Sequence, residues 1–153
     1  MDFKDSTMGF ICSHDLLNVY LIRKTHPEWL AESLNGVGGH RKITETFSAC
    51  MKREAYEEAG YTGTFTQFAT LYGTNRQCLV YYSIMQEGQR ALETCEKEKI
   101  EPIRLNNILA DAGQMNVHLP WLILAAVSHV SRPDDKFRID VKYMRVAKSQ
   151  NIC

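Results

Sequence analysis

The chain has 153 residues, 44% apolar and 24% charged, which is the size and make-up of one folded domain and not of a disordered segment. Eighteen Lys+Arg balance eighteen Asp+Glu, so the basic excess expected of a protein held stably on duplex nucleic acid is missing. The longest apolar run, Leu119–Val127, is interrupted by Pro120 and falls far short of the roughly twenty residues of a membrane span. The segment MDFKDSTMGF lacks an apolar core of signal-peptide length. Five cysteines, at 12, 50, 78, 95 and 153, are odd in number and form no Cys-x-x-Cys pair, which disfavours a zinc site or a disulfide framework. Reduced thiols in a cytoplasmic protein are expected, with Cys50 and Cys78 as small core residues. There is no repeat and no Pro- or Gly-rich linker, so residues 1–153 are expected to form a single domain.

In chain order, Met8–Cys12 and Asn18–Arg23 (NVYLIR) are predicted strands, rich in β-branched and aromatic residues. Thr25–Gly39 is a long connection holding Pro27, Asn35-Gly36 and Gly38-Gly39. Glu45–Ala59 has no Gly or Pro and stops at Gly60, the pattern of a helix with a glycine just past its end. Thr64–Tyr72 and Gln77–Met85 are predicted strands, and the polar Gln86–Lys97 is a predicted loop. Lys99–Leu105 is a short strand candidate. Pro120–Val130 is a predicted helix with Pro in its first turn, and Phe137–Val146 alternates like a last strand. This order implies an α+β or α/β sandwich with helices on a mixed sheet.

The helix over Glu45–Ala59 is not patterned like a surface helix. At about 100° per residue, Glu54, Glu57 and Glu58 share one arc, and Phe47, Cys50 and Met51 lie in or beside it. Carboxylates at i, i+3 and i+4 stand about 5–6 Å apart and repel by roughly 3 kcal/mol at an effective dielectric near 20. Helix propensity cannot offset several such pairs. Arg53, four residues before Glu57, relieves part of the repulsion; a divalent cation would relieve more. Hard oxygen donors on a rigid helix suit Mg²⁺ or Mn²⁺. The bland alternative is a solvated acidic face with i,i+4 pairing, which accounts neither for the apparent lack of basic partners nor for the glycine pair upstream.

Residues 39–61, GHRKITETFSACMKREAYEEAGY, resemble the Nudix box, G-x5-E-x7-R-E-U-x-E-E-x-G-U, where U is a bulky aliphatic residue. Gly39, Glu45, Arg53, Glu54, Glu57, Glu58 and Gly60 fill every fixed position; Ala55 and Tyr61 depart at the two U positions, which concern packing. The resemblance implies the Nudix α/β/α sandwich and hydrolysis of a pyrophosphate bond in a nucleoside diphosphate linked to another group. It implies that Glu54, Glu57 and Glu58, with the Gly38 carbonyl, hold Mg²⁺, that Glu45 and Arg53 support them, and that Glu54 or Glu57 takes the proton from water. A later acid often joins such a site, and Glu96 and Glu98 are the candidates. Monomers and homodimers both occur in the family.

Upstream, SLNGVGGHR resembles the Asn-Gly-x-Gly-Gly-Lys stretch of MutT-type enzymes, which hydrolyse nucleoside triphosphates, oxidised purine ones included. Asn35 is therefore a candidate to pair with a base edge; alternatively it is an Asn-Gly turn residue. Gly39, His40 and Arg23 are further candidates on the substrate. His40 stands where related enzymes often carry Lys, a role that Lys42, Arg23 or Lys24 could take over. Trp29 and Trp121 could each stack on a base or pack in the core, and Trp121, inside LPWLILAAV, is expected in the core. A proline and a tyrosine that mark the ADP-ribose and diadenosine-polyphosphate branches are missing from their places, as is the extra motif of the coenzyme A branch. The expected activity is conversion of a (d)NTP to (d)NMP and pyrophosphate.

Overall fold

The computed structural model describes residues 4–93 and 98–140. Among the described residues there are seven strands, β1 (Ser6–Cys12), β2 (Asn18–Arg23), β3 (Leu34–Asn35), β4 (Thr66–Gly73), β5 (Arg76–Ile84), β6 (Lys99–Arg104) and β7 (Phe137–Asp140), with helices α1 (Phe47–Ala59) and α2 (Leu119–Ser131). They form one mixed sheet in the order β3-β2-β1-β5-β4-β7, with β6 paired to β2. β1 and β5 run parallel, as do β4 and β7; the other pairs are antiparallel. Of the last predicted strand, Phe137–Asp140 is observed; residues 141–146 lie outside the described residues, as does Glu96.

Alternation along the central strands builds two cores. Phe10, Val19, Leu21, Val80 and Tyr82 face one side, with Leu119, Leu122, Ile123 and Ala126 of α2 over them. Ile11, Tyr20, Ile22 and Tyr81 face the other, under Met51, Ala55 and Ala59 of α1. Strands buried on both faces read as continuous apolar runs, which is why NVYLIR and QCLVYYSIM are so strongly marked. The result is a helix on each face of a mixed sheet, as the sequence implies. Ala55 and Tyr61, the departures from the box, are both buried, and the Tyr61 hydroxyl lies 2.7 Å from Ser83 Oγ.

Two expectations about the core need correction. Trp121 is 41% exposed and stands edge-on to His118, because the buried stripe of α2 runs through 119, 122, 123 and 126 and leaves 121 outside it. Cys78 is only half-buried, whereas Cys50 and Cys12 are buried. Burial pushes the Cys12 thiol up to about 12. Iodoacetamide at pH 8 is therefore expected to leave Cys12 unmodified until the protein is unfolded, as read by peptide mass mapping; rapid native labelling of Cys12 would contradict this environment.

The sheet also positions the segment before α1. β2 pairs with β1 only at Ile11–Cys12, and the wedge beside the first half of β1 is filled by Val37–His40. Thr7 N–H donates to Gly39 O (2.9 Å) and Gly9 N–H to Val37 O (2.7 Å). The glycine pair is thereby held at the sheet, beside the carboxylates of α1.

Candidate active site on the first helix

α1 begins two residues later than its sequence suggests because Thr46 caps it, its hydroxyl accepting from Ala49 N–H at 3.1 Å. It ends at Gly60, whose φ of 63° a residue with a side chain rarely adopts. Glu45 sits outside the helix and accepts from Lys42 N–H (2.9 Å) and from Arg53 (2.7 and 3.1 Å). Arg53 also reaches Glu54 (2.7 Å), Glu57 (3.1 Å) and the His40 carbonyl (3.2 Å). One guanidinium thus ties three carboxylates and the loop together, using donors that a lysine would not have.

Glu58 is 6% exposed. Its Oε2 accepts from Gly38 N–H at 2.8 Å, and its Oε1 is 3.5 Å from Lys24 Nζ. Lys24 also reaches Glu98 at 2.9 Å, and Glu98 accepts from Thr25 N–H (2.9 Å). Burial pushes the Glu58 carboxyl up to about 7; Glu54 and Glu98 add to this, while Lys24 and the Gly38 N–H work against it. Burial likewise opposes charge on Lys24, but Glu58 and Glu98 outweigh it and raise its pKa. The crowded carboxylates therefore do have basic partners, contrary to the sequence expectation: Arg53 on one side and Lys24, from the end of β2, on the other.

The glycines bring backbone against these acids. A Cβ on Gly39 would lie 2.6 Å from the Glu54 carboxyl carbon. Gly38 has φ of +146°, and a Cβ there would lie 2.1 Å from Thr7 O. Both glycines also belong to the wall of a cavity of about 350 Å³, together with Lys24, Asn35, His40, Tyr72, Asn116 and His118 among others. Asn35 is the last residue of β3 and is not among the residues with positive φ, so the Asn-Gly turn reading does not hold; its Oδ1 accepts from Gly36 N–H (3.0 Å), and it belongs to the cavity wall.

Arg23 is placed elsewhere. It pairs with Glu101 (2.7 Å) and donates to the Glu32 carbonyl (2.7 Å) and Gln114 (3.3 Å), and it is not among the residues of the cavity wall. The side chain of Trp29 lies outside what is described. Asn116 and His118, by contrast, were not legible in the sequence. They reach the cavity through the bridge between Leu34 and Met115, which no local spacing encodes.

The chain matches the NUDIX domain family over residues 5–122. It belongs to the Nudix family. It is a hydrolase acting on the pyrophosphate of a nucleotide-derived substrate. A comparison with curated proteins found no match. Among solved structures, the fold is similar to a MutT protein from Bacillus halodurans (TM-score 0.67, 19% identity, 94% of this chain and 92% of that one). It is similar to a Nudix hydrolase from Nitrosomonas europaea (0.73, 11%, 94% and 81%). It is also similar to the Nudix domain of NrtR from Shewanella oneidensis, solved with ADP-ribose (0.67, 16%, 85% and 90%). At these identities the likeness is one of fold, and it is as strong to one substrate class as to another. Among the described residues, no helix of this Nudix protein is long and apolar enough to cross a membrane.

Arg53 holds the Glu45 carboxyl down to about 2, chiefly by hydrogen bonding, with the Lys42 N–H assisting. A folded-state pKa below the ordinary value makes Glu45 stabilising above about pH 4.5, with the gain lost as pH falls toward 2. Urea midpoints of wild type and Glu45→Gln are expected to differ at pH 6 and to converge across that window. A constant gap down to pH 2 would contradict it.

Proposed function

We propose that this Nudix hydrolase converts a nucleoside triphosphate, oxidised purine forms included, to the monophosphate and pyrophosphate with the aid of Mg²⁺. The observation that carries this is the shared position of Gly38 and Gly39. They contact Glu58 and Glu54 and also belong to the wall of a cavity of about 350 Å³, within the size range of small-molecule sites.

Among the described residues no three acidic, His or Cys side chains converge as a preformed metal cluster. The donor chemistry nevertheless fits a hard divalent cation: carboxylate oxygens dominate, and the protein cations Arg53 (on Glu54 and Glu57) and Lys24 (on Glu58 and Glu98) already show that the cluster attracts positive charge. Glu54, Glu57 and Glu58, with the Gly38 carbonyl and Glu98 just before β6, would hold Mg²⁺ or Mn²⁺. When bound, the ion supplies charge neutralisation at the phosphates and a more acidic water. Arg53 keeps Glu54 and Glu57 oriented, and whichever of these two is not engaged takes the proton from water. The cavity receives the nucleoside. With its Oδ1 held by Gly36, Asn35 has its amide NH₂ to offer to a base acceptor, and His40 lies on the same wall for the phosphates.

The test is a panel of nucleoside triphosphates (oxidised purine ones included), ADP-ribose and dinucleoside polyphosphates with Mg²⁺, followed by product identification. Monophosphate plus pyrophosphate from at least one triphosphate is expected. Orthophosphate as sole product, or turnover confined to ADP-ribose or dinucleoside polyphosphates, would overturn the assignment.

A further inference from the structure

Lys24 belongs at once to the carboxylate cluster and to the nucleotide cavity. It follows β2 directly, and its backbone is pinned on both sides: its N–H donates to Ser33 O (2.9 Å), and its carbonyl accepts from Glu32 N–H (2.8 Å). The ammonium lies 2.9 Å from Glu98 and 3.5 Å from Glu58. The same side chain lines the cavity beside Gly38, Gly39 and Asn35. A lysine is a compact point charge on a flexible four-carbon stem, able to change partners without moving its backbone.

Glu58 cannot serve Lys24 and a divalent ion together without bringing two cations into close repulsion in a poorly solvated place. A triphosphate in the cavity offers the displaced ammonium several anionic oxygens. We propose that Lys24 is a resident counter-cation that exchanges partners: it neutralises Glu58 and Glu98 in the free protein, leaves Glu58 when a divalent ion binds, and turns to the phosphates of the nucleotide. This rests on the triphosphate assignment above. Lys24 then opposes the ion in the free protein and favours the nucleotide in the loaded one, which couples the two binding events through one side chain.

The test is binding, not turnover. Mn²⁺ alone is titrated, by its paramagnetic resonance signal, into wild type, Lys24→Met and Lys99→Met. The α,β-methylene analogues of ATP and GTP are then titrated into the Mn²⁺-loaded proteins. Lys99→Met removes an equal charge from an exposed ion pair with Glu101 (3.4 Å) and so reports the general effect of losing a cation. Lys24→Met is expected to take Mn²⁺ roughly tenfold more tightly than Lys99→Met, the scale of one modest charge–charge interaction, and to bind the methylene nucleotides roughly tenfold more weakly. Equal Mn²⁺ affinity in the two variants, or unchanged nucleotide affinity, overturns the exchange. If Lys24→Met does not fold, Lys24→Arg serves instead: a fork held more firmly by two carboxylates weakens Mn²⁺ binding relative to wild type, and equal affinity overturns the proposal. Wild type that binds neither probe removes the functional assignment and the exchange together. Wild type that binds both, with Lys24→Met matching Lys99→Met, removes the exchange alone.

Discussion

Glu57→Gln is expected to lower the rate of pyrophosphate release by about two orders of magnitude or more while leaving the protein folded. Glu57 is the most exposed acid of the cluster, its side chain 43% accessible, and it pairs with Arg53 at 3.1 Å. Removing its charge leaves Arg53 bound to Glu45 and Glu54, so the loop and helix stay joined. The chemistry loses more, because in the function proposed above Glu57 is either a donor to the cation or the group that takes the proton. The measurements are steady-state release with Mg²⁺ and a thermal melt of the same preparation. Undiminished turnover in a folded variant would exclude Glu57 from both roles.

Gly38→Ala is expected to be strongly destabilising. The added carbon would lie 2.1 Å from Thr7 O, a backbone atom of β1, at a φ of +146° that L-residues rarely adopt. Relief requires the 37–40 segment to leave the edge of β1, which breaks the Thr7–Gly39 hydrogen bond and detaches Gly38 N–H from Glu58. A loss of about 3 kcal/mol or more is expected from strain and lost bonds together. That corresponds to a melting temperature lower by about 6–12 °C. Gly88→Ala provides the comparison: it also has positive φ, 75°, but nothing lies within 4 Å of its added carbon. Equal destabilisation in the two variants would show that φ alone, and not the approach of the β1 backbone, sets the cost.

Much of this molecule is legible in its sequence, for definable reasons. β2 coincides with NVYLIR because a strand buried on both faces carries an unbroken apolar signal between polar ends. The carboxylates of α1 are legible because helical spacing alone brings i, i+3 and i+4 together. What spacing does not reveal is who crosses over to meet them. Lys24 and Glu98 are far apart in sequence, yet the antiparallel pairing of β2 with β6, which sets Arg23 opposite Lys99, brings them into an ion pair. Arg53 does more than the single i,i+4 contact suggests, since its fork spans Glu45, Glu54 and Glu57. A bound cation is consequently not required to make the helix tolerable, although the donors remain suited to one. The cavity wall drawn from Asn116 and His118 carries no local signature, and Trp121 was misjudged because an apolar run conceals which stripe of the helix faces inward.

The parallel pairing of β1 with β5 bears on how the chain is made. Ser6 meets Cys78 and Cys12 meets Ile84, so this ladder closes across about seventy intervening residues, the kind of distant contact that slows folding. During synthesis at about 5–20 residues per second, one flank of β1 waits several seconds before its mate leaves the ribosome. Until then that edge of MGFIC is open to any passing strand, because β2 and the Val37–His40 segment pair with the opposite edge of β1. Slower translation between β2 and β5 lengthens the interval during which this edge stays unpaired.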